Sequence, residues 1–557
     1  MTLLLGTERP DLLQDEYLHD IFLISARRYP NKIALRWLDE EITYGQLHQR
    51  ALNIAHALRD SRKVGSGCIV GLWLTRSALL HTSILAVLMT GATYVPFDAD
   101  TPEERVNEVL ADLKVDLLLV DSQARCNHPV AVNIQTLPQN ESTVDIDLKG
   151  EIDNQSIAYI ICTSGSTGKP KAIAITHKNI CHFVRADNEI LHIKHDDIIY
   201  QGSSAAFDLF LEETFLTYLV GATMVVGSKS DVLNTDRLHL FLIHHSVTAI
   251  FSVPTLLLLL HNDPALKLRL LNVGGEALPK NIFLGSSYIC DEIEKHYEER
   301  KSKFRWEIMS LKSRNCQKAM NRWWKEDRLI YNSYGPTETT VAATLSLVHP
   351  DQSISIGVPL PNYVCCLLDE ITGQPTSANI GELCIRGPGV ARGYVGSDKL
   401  TKEKFTEYGY RTGDQVTFEN GQIYYHQRID TQVKIRGFRI ELSEIEEELL
   451  NLKDNVLSAA VTVQNEQIIA YVVGELSESK MRERLAKRIP RYMVPDRLIK
   501  VDEKMPLLSS GKIDRKALHV LSVRDHSEKK TNGAIIDSSK LTHYIRLSKK
   551  FAVTSKN

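Results

Sequence analysis

The sequence predicts an α/β protein of more than one domain, and three observations carry that expectation. At 557 residues, 43% of them hydrophobic, the chain is too long for one core and has ample apolar material for two or more. From Leu18 to about Ser156, helical stretches alternate with short apolar runs such as Val115 to Val120, the pattern of sheets covered by helices. Farther on, the pattern changes to strand-rich segments at Ile354 to Asp369, Gly381 to Tyr394 and Gly421 to Leu442, and then to a small α+β unit after about Asp430.

Composition narrows the partners. The net charge of -3 gives no global basic field, so neither nucleic acid nor an anionic membrane surface is expected as a partner. Nine cysteines without a Cys-x-x-Cys pair argue against a zinc ribbon or a disulfide framework and fit a reducing, cytoplasmic setting. Met1 to Leu13 lacks the apolar centre of a signal peptide, and Val247 to Leu260, broken by Pro254, is too short to span a bilayer. That window reads as a buried strand running into a helix.

Taken in order, the first chemistry lies at Thr163-Ser164-Gly165-Ser166-Thr167-Gly168-Lys169-Pro170-Lys171, between the apolar runs Ile157 to Cys162 and Ala172 to Ile175. Strand, loop, strand is the reading, and the loop offers backbone N–H groups, hydroxyls and ammonium groups to one polyanion such as a triphosphate. The spacing of Gly165 and Gly168, with Pro170 after the lysine, is not that of a Walker loop, and Ser164 stands where a nucleophile elbow needs glycine. A flexible Ser/Gly hairpin remains open as the alternative.

Phe207 to Glu213 opens a helical stretch in which Asp208 and Glu212 share a face and repel, so either a cation sits near them or the face is solvated. Leu270 to Leu278 reads as a strand ending at Gly274-Gly275, where backbone can approach a flat ligand. Ile282 to about Lys318, dense in charge and poor in apolar period, reads as an exposed helical insertion.

In Asn332 to Thr340, Tyr334 could stack on a base and Glu338 could hold Mg²⁺, or the stretch is a plain turn with a surface glutamate. Tyr410 to Asp414 places a carboxylate in a tight turn, where aspartate can accept from ribose hydroxyls or from its own backbone. Beyond it come a break at Arg428 to Gln432 and the basic run Lys434 to Arg439. Ser443 and Glu446 are spaced as a capping box, strands follow at Val456 to Val463 and Gln467 to Val473, and a helix near Glu478 to Ile489 stops at Pro490. Ser509 to Arg515 is a loop with Lys512 at its tip, exposed by default, and the polar stretch after Leu521 reads as a disordered tail.

Together these stretches resemble the adenylate-forming superfamily, and within it the amino-acid adenylation domains of nonribosomal peptide synthetases. The resemblance runs from about Leu18 to Leu518. It is carried in the family's order by Ile42 to Leu47, Thr90 to Asp98, Thr163 to Lys171, Phe207-Asp208, Asn332 to Glu338, Gly381 to Tyr394, Tyr410 to Asp414, Arg428 to Glu446, Arg491 to Pro495 and Ser510 to Arg515.

The resemblance implies a large N-terminal AMP-binding domain, residues 1–429, of α/β subdomains plus a β-rich one. A small mobile α+β C-terminal domain, residues 430–520, and the tail 521–557 follow. It implies that Thr163, Ser164, Gly165, Ser166, Thr167, Gly168, Lys169 and Lys171 hold phosphates, that Gly275, Glu276, Ala277 and Tyr334 face adenine, and that Asp414 and Arg428 hold ribose. Asn332, Gly335, Thr337 and Lys434 belong to the same nucleotide site, Glu338 to Mg²⁺, and Lys512 to the catalytic bridge between substrate carboxylate and α-phosphate. The implied substrate pocket is Asp208, Leu209, Glu212, Phe251, Asn272, Gly274, Ser333, Val341 and Ala342, with Asp208 pairing an α-amino group.

The implied activity is ATP-dependent formation of an aminoacyl adenylate, then transfer to phosphopantetheine on a partner carrier protein. An acyl-CoA or aryl-acid ligase of the same fold and a non-catalytic nucleotide-binding relative are the alternatives. Glu212 stands where relatives are often aromatic or apolar; a second carboxylate near Asp208 points to a basic, lysine- or ornithine-like amino acid unless Glu212 faces water. Ala172 and Gln427 replace usual glycines, and no Gly-Gly-x-Ser carrier attachment sequence follows Arg515, so the expected acceptor comes from another chain.

Overall fold

A computed structural model describes residues 2–121, 128–138, 143–165, 169–260, 262–276, 323, 327–349, 352–430, 432–452, 456–464, 466–474, 477–501, 505–506, 513, 515 and 518. The expected insertion at 282–318, the tail beyond 521 and Lys512 lie outside these residues.

Two sheets share one apolar core. In the first, the parallel strands Ala131–Asn133, Leu117–Val120, Ile69–Trp73, Thr93–Phe97 and Ile157–Thr163 lie side by side, and the antiparallel Lys171–Thr176 and Gly393–Tyr394 complete one edge. The second has nine strands, and its parallel centre runs Ile33–Trp37, Thr223–Val226, Ile198–Gln201, Ala249–Ser252, Leu270–Gly274 and Leu329–Tyr334. Helices packed between them, Ala78–Met89 and Leu209–Val220 among them, are buried on nearly every side, as helices apolar all round must be. The window 247–260 forms the strand Ala249–Ser252 and the helix Pro254–Leu259, with the proline in the first turn where its missing N–H costs nothing.

The strand-rich segment forms an antiparallel sheet of Leu3–Leu5, Val364–Leu368, Ile380–Arg386, Gly409–Glu419 and Phe405–Thr406, with Gln422–Arg428 also paired to Gly409–Glu419. Asp414 lies within the long strand, not in a tight turn; the ladder is interrupted near it by a register shift between Glu382 and Cys384.

After Arg428 the chain builds a second core of its own. The hairpin Gln432–Ile435 and Phe438–Glu441, the sheet Val456–Gln464, Gln467–Gly474 and Arg497–Lys500, and the helices Leu442–Leu450 and Glu478–Arg488 bury Ile440, Ile445, Leu449, Ala470 and Leu485 together. The expected capping box does not form: Glu441 is the N-cap and Ser443 lies inside the helix, while Glu446 accepts the Val461 N–H at 2.7 Å. The strand ends at Glu441 and the helix begins at once, two residues too early for Ser443 to cap it.

Candidate active site

The strands Ile157–Thr163 and Lys171–Thr176 pair in register up to Thr163 and Lys171, which fixes the ends of the phosphate loop. Gly165 is required there, because a Cβ would meet the Lys169 carbonyl oxygen at 1.8 Å. Ser166, Thr167 and Gly168 lie outside the described residues. Ser164, Gly165 and Lys171 face the hairpin strand Phe438–Glu441 and the helix that follows it. Ser164 Oγ donates to the Arg439 carbonyl at 2.9 Å and accepts the Glu441 N–H at 3.1 Å, and the Gly165 N–H donates to Glu444 Oε2 at 2.8 Å. Lys171 Nζ pairs with Glu441 Oε1 at 2.8 Å, and Arg105 pairs with Glu444. Two carboxylates therefore take up donors of the loop that the sequence expects to hold phosphates. Lys169 points outward, 3.7 Å from Asp112.

A second group gathers across the sheet ends. Tyr334 donates to Asp414 Oδ2 at 2.6 Å, and Arg428 Nη1 donates to Asp414 Oδ1 at 3.1 Å while its other nitrogens grip Asp430 at 2.6 and 2.9 Å. Lys434 Nζ lies 5.6 Å from the Tyr334 ring centre, a cation–π distance, and burial pulls its pKa down. Asn332 is buried and donates to the Ser355 carbonyl at 2.7 Å. Glu276 accepts from the Thr255 hydroxyl and N–H, so its side chain closes the start of the helix Pro254–Leu259; Ala277 lies outside the described residues.

Glu338 is fully buried. Tyr394 donates to its Oε1 at 2.8 Å and Arg439 Nη1 lies 2.6 Å from its Oε2. Burial pushes this carboxyl up, but the guanidinium and the hydroxyl outweigh it and hold it at about 2. An ionised carboxylate facing a cation fits a hard ion such as Mg²⁺ once the guanidinium moves away. Among the described residues no cluster of three or more His, Cys, Asp and Glu could hold a metal, so phosphate oxygens and water would have to supply the other ligands.

The residues implied for the substrate pocket come from several elements. Asp208 is the N-cap of Leu209–Val220 and has Thr337 as a neighbour; burial raises its pKa. Leu209 and Glu212 follow on the helix, Phe251 comes from Ala249–Ser252, Asn272 and Gly274 from Leu270–Gly274, and Ser333 from the neighbouring strand. Gly274 and Ser333 are paired in register, and a Cβ on Gly274 would fall 2.3 Å from Ser333 Oγ. Val341 and Ala342 follow a turn in which Thr340 and Val341 both have positive φ, 62° and 67°. Such geometry is costly for a β-branched residue and survives only where its surroundings enforce it. Gly335 is packed against that turn, where a Cβ would lie 2.5 Å from Ala342 Cα.

Glu212 is 1% exposed, which removes the water-facing alternative; Asn272 Nδ2 donates to its Oε1 at 2.6 Å. Several participants were not singled out by sequence. Arg439, Glu441, Glu444 and Tyr394 reach the site across long chain separations, and Asp187, on the helix packed against Leu209–Val220, is acted on by Glu212. Phe207, Phe438 and Tyr492 form a rim shared by the two cores, with Phe438 and Tyr492 stacked at 4.2 Å and 5°. The basic run Lys434 to Arg439 was the available signal for Arg439; no local signal marks the carboxylates.

A family model described as AMP-binding enzyme matches residues 22–395. Among curated proteins, delta-poly-L-ornithine synthetase of Acinetobacter baumannii (strain AB307-0294) is 39% identical over 550 residues, covering 94% of this chain. This chain spans only 38% of that relative's length. The Vibrio cholerae adenylation domain AlmE, solved in complex with glycyl-adenosine-5'-phosphate, superposes with a TM-score of 0.73 at 23% identity, covering 91% of this chain and 98% of that one. A nonribosomal peptide synthetase (NRPS) protein containing adenylation and PCP domains, holo-PA1221, gives a TM-score of 0.73 at 23% identity, covering 91% and 85%. The model match takes in both the phosphate loop and the Glu338 turn, and the chain belongs to the AMP-binding enzyme family, with the fold of the adenylation domains of nonribosomal peptide synthetases.

Proposed function

We propose that this protein uses ATP to activate the carboxylate of a basic amino acid as its aminoacyl adenylate, and then passes the acyl group to the phosphopantetheine thiol of a carrier protein. One observation carries the reading: Arg439 joins the expected phosphate loop, through its carbonyl and Ser164, to the buried Glu338, and Thr337, next to Glu338 in the chain, neighbours Asp208. An anion cradle, a buried carboxylate suited to a cation and a carboxylate suited to an ammonium thus follow one another along neighbouring elements.

In the first step a substrate carboxylate oxygen attacks the α-phosphorus of ATP and the bond to pyrophosphate breaks. The ionised carboxylate is already a nucleophile, so the protein's task is to place donors where negative charge accumulates. The Gly165 N–H, the Ser164 hydroxyl and Lys171 would hold phosphate oxygens, Asp414 would accept from the ribose, and Tyr334 would stack on adenine. Mg²⁺ bound at Glu338 would supply charge neutralisation to the phosphates. Lys512, outside the described residues, enters through the family resemblance as the group bridging the two anions.

In the second step the thiolate sulfur attacks the acyl carbon, the carbon–oxygen bond to phosphate breaks and AMP leaves. Glu441 and Glu444 occupy the loop's donors in the present arrangement, so triphosphate binding requires the C-terminal unit to withdraw, with the break at Asp430 as the natural pivot. The basic substrate is supported by the buried Glu212 and by the L-ornithine in the name of the similar Acinetobacter protein.

Exchange of labelled pyrophosphate into ATP tests the reading across amino acids and several aryl and fatty acids. Strong exchange with a diamino acid is expected, falling at least about tenfold in Glu212→Gln, since one tenfold step corresponds to about 1.4 kcal/mol of lost charge recognition. Exchange only with acids that lack an amine would refute it.

A further inference from the structure

We propose that Asp187, together with Glu212 and Asn272, forms the binding site for the distal ammonium of a diamino acid, which makes Asp187 a specificity-determining residue of the pocket. The inference rests on the reading of that pocket as an amino-acid site. The three side chains come from three elements: Asp187 from His177–Leu191, Glu212 from Leu209–Val220 and Asn272 from Leu270–Gly274. Each is at most 1% exposed.

Their hydrogen-bonding capacity does not balance. Asn272 Nδ2 is spent on Glu212 Oε1 at 2.6 Å, whereas Asn272 Oδ1 and both Asp187 carboxylate oxygens find no protein donor. The helices His177–Leu191 and Leu209–Val220 pack together, and Glu212 is the side chain that acts on Asp187 across that contact. Even one proton held between the two carboxyls would serve a single Asp187 oxygen and leave the other, with Asn272 Oδ1, still wanting a donor. Buried acceptors in this state cost free energy, and a cluster rich in acceptors and short of donors is complementary to a group that only donates. An ammonium, with its three donors and single positive charge, is that group.

The surrounding side chains leave this role open. The Tyr331 hydroxyl donates to the Ile190 carbonyl and Tyr363 to the Thr339 carbonyl. Glu213, next along the helix, is engaged by Gln201 and Ser203. Burial and Glu212 are what act on Asp187, and no cationic side chain of the described residues does. With one proton kept between the two carboxyls, an incoming ammonium brings the site to neutrality, and no proton need enter or leave. Asp208 and Glu212 lie about one helical turn, roughly 5.4 Å, apart, a separation that the short alkyl chain of a diamino acid can bridge from the α-amino group to the distal one.

The test compares ornithine with norleucine, which carries a methyl group in place of the distal ammonium, in pyrophosphate exchange by the full chain. Asp187→Asn is expected to lower the ratio of kcat/KM for ornithine over norleucine at least about tenfold, mainly through KM for ornithine, with norleucine changed less than about threefold. A general loss of folding would depress both substrates alike. Should Asp187→Asn not fold, the double variant Asp187→Leu with Glu212→Leu, which removes both carboxyls together, is expected to prefer norleucine. Exchange with ornithine in the wild type but an unchanged ratio in Asp187→Asn, or a ratio in the double variant no lower than in Glu212→Leu by itself, overturns the role of Asp187 alone. Absence of exchange with every amino acid in the wild type overturns the proposed function, and this site with it.

Discussion

Glu213 shows how a single buried residue can be read through pH. Burial lifts its carboxyl to about 7, against the bonds from Gln201 and Ser203 that favour the ionised form. A carboxyl raised in the folded state keeps its proton there. Its contribution to stability is therefore complete below the unfolded carboxylate range and is lost as pH rises through about 7. Replacing it with the neutral Gln should make the variant gain on the wild type between pH 6 and pH 8.5, by on the order of 1–2 kcal/mol in paired thermal melts. A gap that stays flat over that range would show that Glu213 ionises freely. Asp208 and Glu338, by contrast, were legible in the sequence because each sits in a motif. Asp187 was not legible: it becomes significant only when a second helix brings Glu212 against it, and nothing in its own neighbours announces that.

The expected phosphate loop and the helix Leu442–Leu450 are the pair of elements on which the proposed withdrawal of the C-terminal unit depends. Both were visible in the sequence, one from its glycines and hydroxyls between apolar runs, the other from Ile445 and Leu449 on one face. Their contact was not visible, because Gly165 and Glu444 are 279 positions apart and no local period encodes such a pairing. For the same reason the sequence placed Asp414 in a turn: Gly413 supplies a turn signal, but the ladder on both sides carries the strand straight through it. At this scale the prediction concerns Lys171, which Glu441 holds at 2.8 Å. Glu441→Gln removes a carboxylate that competes with phosphate for that ammonium. It should lower KM for ATP in the exchange assay by about 3- to 10-fold, or 0.6–1.4 kcal/mol. An unchanged or raised KM would mean that the pair does not compete with the nucleotide.

Across the whole molecule, the two cores meet over the loop, over Arg439 with Glu338 and over the rim of Phe207, Phe438 and Tyr492, and Arg428 grips Asp430 where the chain passes between them. The proposed reaction uses two placements of the smaller unit. A rigid residue at the pivot should therefore separate the half-reactions. Asp430→Pro, which fixes φ and removes the grip on Arg428, is expected to change pyrophosphate exchange and thiol loading unequally, by at least about tenfold in their ratio. Equal effects on both would argue for a single placement. Among the described residues no helix is long and apolar enough to cross a membrane, in keeping with the broken window at 247–260. The division into α/β sheets, an antiparallel sheet and a final α+β unit followed from periodicity; the sharing of one core by the two large sheets did not, since it depends on helices that both of them cover.

The short strand Leu3–Leu5 lies along Val364–Leu368 and closes one border of the antiparallel sheet. Trimming the first half-dozen residues would bare a row of main-chain amides and carbonyls, the kind of margin onto which a foreign strand can zip. Shortening the protein at that end thus carries a hazard of self-association that has nothing to do with its chemistry.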